Sequence, residues 1–234
     1  MLTPDELTAV WLSAKVALSA TLLCLPLGIA VSWLLARRRF PGKVLLDVLV
    51  QLPMVLPPVV PGYLLLVVLG TQGVVGAWLL ERFGITLAFT WKGAVLASAV
   101  MAFPLMVQPV RLAFGMIDRR LEQAATTLGA TPWRAFFTVT LPLAVPGIIA
   151  GAVLCFSRSL GEFGATMAFV GNIPSETRTL PLAIYTYMHV PGGEAPSQRL
   201  AWLSIAIAFV ALLAAHGISR RAERLLGYRS HADP

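Results

Sequence analysis

Charge is scarce in this chain of 234 residues: Asp, Glu, Lys and Arg together make up 12%. An average soluble domain carries about 25%. That deficit excludes a solvated globular surface. Cysteine is equally scarce. Cys24 and Cys155 lie within apolar runs, with no Cys or His at metal-ligand spacing, which excludes a disulfide framework or a zinc module. They read as small buried hydrophobes. The three histidines, His189, His216 and His231, are scattered, so a metal- or His-dependent membrane enzyme lacks its groups. No stretch follows G-x-x-x-x-G-K-[ST], because Gly42-Lys43 precedes Val44 and has no upstream glycine in register. A phosphate-cradling loop of that kind is therefore missing. The segment Met1 to Thr8 is acidic, and the apolar run after it is too long for a cleaved signal peptide, so it reads as a retained first helix.

What the chain has in abundance is apolar length. Hydrophobic residues make up 57%, and a membrane span needs about 20 of them in a row. Five spans are expected, at residues 8–36, 44–69, 93–114, 143–159 and 200–218. The second contains Pro53, Pro57, Pro58 and Pro61, so it must be kinked or partly unwound. A short interfacial helix is expected around 74–83, and a partly embedded one at 180–188. Residues 219–234 read as a basic tail. The fold class is an all-α polytopic membrane protein, with lipid as its first partner.

The net charge of +7 comes mainly from short basic clusters between apolar runs, not from a basic and aromatic polar surface. Nucleic acid is excluded on that pattern. Arg37, Arg38, Arg39, Lys43, Arg111, Arg119, Arg120, Arg134, Arg220, Arg221, Arg224 and Arg229 fall on one side, against Arg82, Lys92, Arg178 and Arg199 on the other. The richer side should be cytoplasmic, which puts the N-terminus outside and the C-terminus inside. Lys15, near the outer end of the first span, can snorkel. Trp11, Trp91 and Trp202 fall near expected membrane boundaries, as aromatic belts do.

The longest loop on the cytoplasmic side, 118–140, is organised rather than slack. Asp118 suits an N-cap, Gly129 a left-handed helix end, and Thr131 a second cap with Pro132 at the first helical position. Two short helices joined at a glycine are expected. Glu122 stands beside the small Ala124 and Ala125, so a partner surface can approach closely and offer it a basic group. A helix lying on the membrane surface is the plain alternative.

Glu122-Gln123-Ala124-Ala125, then Gly129, then Leu141-Pro142, resembles the EAA loop of binding-protein-dependent ABC importer permeases. Gln123 departs from the simplest Glu-Ala-Ala order. The resemblance runs from about residue 8 to 218. It implies a type I ABC importer transmembrane domain whose loop docks into a cytoplasmic ATPase. Glu122, Gln123, Ala124, Ala125, Gly129, Trp133 and Arg134 are then coupling residues, although Trp133 could instead pack the loop. ATP and Mg would sit on the ATPase dimer, so this chain would be neither an enzyme nor a cofactor carrier.

Two further stretches narrow the cargo. Leu52 to Tyr63 resembles the second helix of oxyanion permeases. Ser157 to Thr166, Gly171-Asn172-Ile173-Pro174 and Thr179 to Tyr185 resemble the molybdate branch. Tungstate is chemically close, and a sulfate or thiosulfate permease is the alternative. Arg158, Glu162, Gly164, Pro57 and Pro58 are the candidate pathway or gate residues. Arg158 and Glu162 stand four apart on a helix and can neutralise each other, or Arg158 can meet the anion directly. Five spans cannot easily enclose a pathway, so a second copy is expected, together with an extracytoplasmic oxyanion-binding protein. An ion-coupled secondary transporter is a weaker fit. No internal repeat is evident, and Asp47 and Glu162 are the intramembrane carboxylates.

Overall fold

The computed structural model describes residues 3–225. The first helix, α1 (Pro4–Arg37), starts at a capping box. Thr3 Oγ1 accepts from Glu6 N at 3.3 Å, and Glu6 Oε2 accepts from Thr3 N at 2.7 Å. This reciprocal pairing satisfies two otherwise orphaned donors. Next come α2 (Lys43–Val55), α3 (Val59–Leu69), α4 (Val74–Phe83) and α5 (Trp91–Met116). The remaining helices are α6 (Arg119–Thr127), α7 (Pro132–Ala135), α8 (Leu141–Leu160), α9 (Gly164–Val170), α10 (Leu180–Met188) and α11 (Glu194–Leu225).

The core is a three-helix stack of α1, α5 and α8, with α5 at the centre. Over its most apolar 18 residues α5 is 67% buried, against 33% for α1 and 11% for α11. Packing in lipid relies on small residues that let backbones approach. Ala17, Ala20, Ala97 and Ala102 are fully or almost fully buried here. A Cβ added at Gly147 would stand 2.4 Å from Ala113 Cβ, and one at Gly151 would stand 2.7 Å from the Met106 carbonyl oxygen. Two polar side chains tie α1 to α5: Ser32 Oγ donates to Val107 O at 2.9 Å, and Cys24 Sγ to Ala99 O at 3.4 Å. Towards the N-terminal end of α1, Ser13 Oγ accepts from Leu180 N at 2.6 Å, and the carboxylate of Glu6 meets Arg199 at 2.5 Å. These fasten α10 and α11 to α1. Lys15 Nζ lies 3.5 Å from the centre of the Trp91 ring, a cation–π contact.

Four of the described helices are long and apolar enough to cross a membrane. The bent pair α2–α3 makes five. The pair is sharper than a kink, because the two axes meet at 113°. Pro57, Pro58 and Pro61 remove three backbone donors within five positions, so no helical ladder can cross the break. The helix that carries the expected fourth span begins well before residue 143. Helix α7 continues through a π-helical turn (Phe136–Thr140) into α8, giving one helix over Pro132–Leu160. The expected tail is helical at its start, since α11 runs to Leu225. Arginine is a good helix former. Residues 226–234, with Arg229, lie outside the described residues.

Candidate coupling and translocation site

The segment 118–140 is shaped by local caps. Asp118 Oδ1 accepts from Arg120 N at 2.9 Å and opens α6. Leu128 N and Ala130 N donate back to Ala124 O and Ala125 O, closing that helix. Gly129 follows at φ +88°, with open space where a Cβ would stand, so backbone conformation alone demands the glycine. Thr131 Oγ1 then accepts from Arg134 N at 3.3 Å, with Pro132 at the first position of α7.

None of the residues of α6 is buried. Gln123 and Ala124 are exposed, Ala125 is half-buried, and Arg134 is exposed. Trp133 is 74% exposed and stacks on Phe137 at 6.4 Å. Leu121, Leu128 and Phe137 are also exposed. Reasoning from sequence missed these three. Their signal was apolar side chains placed in a loop otherwise rich in Arg and Thr. Exposed apolar groups in an otherwise polar segment mark a surface built to be covered.

Within the chain the Glu122 carboxylate already has a basic group, a contact that reasoning from sequence missed. Arg37 Nη2, from the end of α1, lies 3.1 Å from Glu122 Oε1, and Thr140 Oγ1 donates to the same oxygen at 2.7 Å. The arginine side chain is 7% exposed and the glutamate 31%. A nearly buried guanidinium left without a counter-charge is costly, and Glu122 supplies that charge. The Arg37 contact is a close ion pair rather than a directed hydrogen bond, whereas Thr140 supplies the directed one. Glu122 thereby joins α1, α6 and the π turn.

The candidate pathway residues gather at the α2–α3 elbow. Pro57 and Pro58 are exposed at the break. Gly164 opens α9 directly against it, and a Cβ there would stand 2.7 Å from Pro58 Cβ. Gly62 meets α9 just as closely, with its hypothetical Cβ 2.5 Å from Ala165 O. Arg158 and Glu162 pair as the i, i+4 spacing allows, with Nη1 2.6 Å from Oε2. Glu162 Oε1 also accepts from Ala165 N at 2.9 Å, capping α9. Its side chain is 1% exposed, whereas that of Arg158 is 30% exposed. All five residues therefore share one neighbourhood, with the arginine as its reachable charge.

The chain thus combines a broken apolar helix, a capped and exposed helix pair, and an arginine beside the break. Residues 25–224 match the binding-protein-dependent transport system inner membrane component family, and the chain belongs to that family. It is a multi-pass protein of the cytoplasmic membrane. It is 59% identical over 220 residues to the molybdenum transport system permease protein ModB of Escherichia coli K12, covering 94% of this chain and 96% of that one. ModB of Haemophilus influenzae is 53% identical, with 97% and 100% covered. The sulfate transport system permease protein CysT of Escherichia coli K12 is more distant, at 41% identity over 68% of this chain and 57% of its own length. The inward-facing MetNI methionine ABC transporter shares the fold, with a TM-score of 0.72, 19% identity and 95% and 99% coverage.

Proposed function

We propose that this chain is the permease subunit of an ATP-driven importer of molybdate, with tungstate as an equivalent tetrahedral dianion. The identity of more than half of the residues to molybdenum permeases over nearly the whole chain is the observation that carries this cargo. The sulfate or thiosulfate alternative has a weaker match. Two copies enclose the pathway on their shared axis, each with its N-terminus outside and its C-terminus in the cytoplasm. An oxyanion-binding protein delivers the anion from outside. The exposed Trp133, Leu128 and α6 dock on a cytoplasmic ATPase dimer, which holds ATP and Mg and carries out the hydrolysis.

In this assembly Glu122 sets the pose of the docking helix through Arg37 and Thr140, and its exposed edge faces the ATPase. Gly129 sets the angle between α6 and α7. Arg158, steadied by Glu162, presents positive charge at the elbow, where a dianion crossing the membrane needs it. Reconstitution of the chain with its ATPase and binding protein tests the proposal. Labelled molybdate should enter with ATP, tungstate should compete strongly and sulfate weakly. Arg158→Ala should abolish uptake while the ATPase still co-purifies. Uptake of sulfate in preference to molybdate would overturn the cargo assignment, and failure to retain any ATPase would overturn the class.

A further inference from the structure

A second polar group lies apart from the elbow, on α2 and α5. Asp47 and Gln51 are one turn apart on α2, and Gln108 and Arg111 are one turn apart on α5. Arg111 Nη1 donates to Asp47 Oδ1 at 2.6 Å, and Gln51 Nε2 donates to the same oxygen at 2.9 Å. Gln108 Nε2 has only the weak acceptor Met54 Sδ, at 4.0 Å. With Lys43, three of these residues (Gln51, Gln108 and Arg111) line an open cavity of about 690 Å³.

Depth makes this arrangement informative. At about 1.5 Å per residue, Asp47 and Arg111 lie roughly 6–8 Å inside the adjacent ends of α2 and α5. Gln51 and Gln108 lie about 12 Å inside them. Both glutamines are exposed, and the Arg111 and Asp47 side chains are 36% and 27% exposed. The surrounding residues Val48, Leu49 and Leu52 are exposed and apolar. Polar and charged side chains inside a span face a bundle interior or a water-filled space, not lipid. None of the described residues covers them fully.

We propose that Arg111, Gln108 and Gln51 form an oxyanion-binding station at the cytoplasmic end of the pathway, facing its twin across the axis of the two-copy assembly. This rests on the function proposed above. The station can meet its guest with N–H donors from every member: a guanidinium, the NH₂ groups of two primary amides and, at the rim, the Lys43 ammonium. A tetrahedral oxyanion supplies only acceptors. Asp47 occupies Arg111 while the station is empty, and the arriving anion competes with it. That competition keeps binding weak, as a conducting site requires, because the ion must also leave.

The test uses the complete transporter in proteoliposomes, with ATPase and binding protein. The paired change Arg111→Met with Asp47→Leu removes both charges and keeps apolar bulk, a replacement that ion pairs often tolerate structurally. Molybdate uptake should fall about tenfold or more, the scale of one lost charge-assisted contact, with the ATPase still retained. Uptake equal to that of the intact protein would overturn the station while leaving the proposed function standing. Absence of molybdate uptake by the unaltered protein would instead overturn the function on which the station rests. Asp47→Asn supplies a second reading, independent of the double variant's folding. Freed from its carboxylate, Arg111 should hold the anion longer, so molybdate preloaded on the cytoplasmic side should inhibit uptake at about tenfold lower concentration. Unchanged sensitivity would overturn the proposal. So would full recovery of transport in the charge swap Asp47→Arg with Arg111→Asp, since that result makes the pair a brace alone.

Discussion

Glu122 and Glu162 each hold an arginine, but the two pairs are built in reverse. At the coupling segment the arginine is buried, at 7% exposure, and the glutamate is reachable, at 31%. At the elbow the glutamate is buried, at 1%, and the arginine is reachable, at 30%. The buried member sets the geometry, and the open member is what an approaching group meets. The coupling segment therefore shows a negative edge on its exposed surface, and the elbow shows a positive edge at the broken helix. In the proposed assembly these face a protein groove and a dianion. Two pairs oriented alike would repel one of the two.

The contrast can be broken from either end. The largest effects should follow loss of either glutamate. Glu162→Ala strips Arg158 of its counter-charge and α9 of its cap, and should cost about 3 kcal/mol, the low end for a broken buried pair because Arg158 can still reach water. Denaturant titration of the purified protein measures this, and a loss below about 1 kcal/mol would mean the pair is not structural. Glu122→Ala removes no helix cap but leaves Arg37 nearly buried without its counter-charge, and should cost about 3 kcal/mol in the same titration. It should also lower ATPase retention, and Glu122→Gln should recover part of the stability through the Thr140 hydrogen bond. The smallest effect on folding should be that of Trp133→Ala, within about 0.5 kcal/mol for a side chain so exposed. Its ATPase affinity should nevertheless drop about tenfold, as for a lost aromatic anchor. Unaltered affinity would make Trp133 a packing residue of the loop.

These regions also differ in how far they can be read from sequence. The coupling segment is written in neighbours. Asp118, Gly129, Thr131 and Pro132 act within three or four positions, so its two helices and their joint follow from spacing. The short helices at Val74–Phe83 and Leu180–Met188 are equally local and fall where the apolar stretches put them. Contacts between distant positions carry no such trace. Arg37 reaches Glu122 across 85 residues, and Arg111 reaches Asp47 across 64. The proline run announces a break in the second span, but the 113° angle depends on α9 and its glycine filling the elbow. Arg111 reads from charge counting as a boundary marker. The signal that set it apart was Gln108 one turn earlier, a polar side chain with no reason to lie in an apolar run.

The unbroken helix from Pro132 to Leu160 has a mechanical consequence. At about 1.5 Å per residue, its 29 residues make a strut roughly 43 Å long. Trp133 stands near one tip and Arg158 near the other. A strut transmits displacement without the slack of a loop, so a shift imposed on the docking tip is delivered to the charged tip as tilt. The π turn at Phe136–Thr140 changes the pitch of its ladder, and Pro146 lies further along the shaft. The π turn lies close to the driven end, where Thr140 is clamped by Glu122. In the proposed assembly a compliant joint there, with a longer shaft beyond it, is the layout of a lever with its fulcrum near the motor: small strokes at the docking tip become larger excursions at the far end.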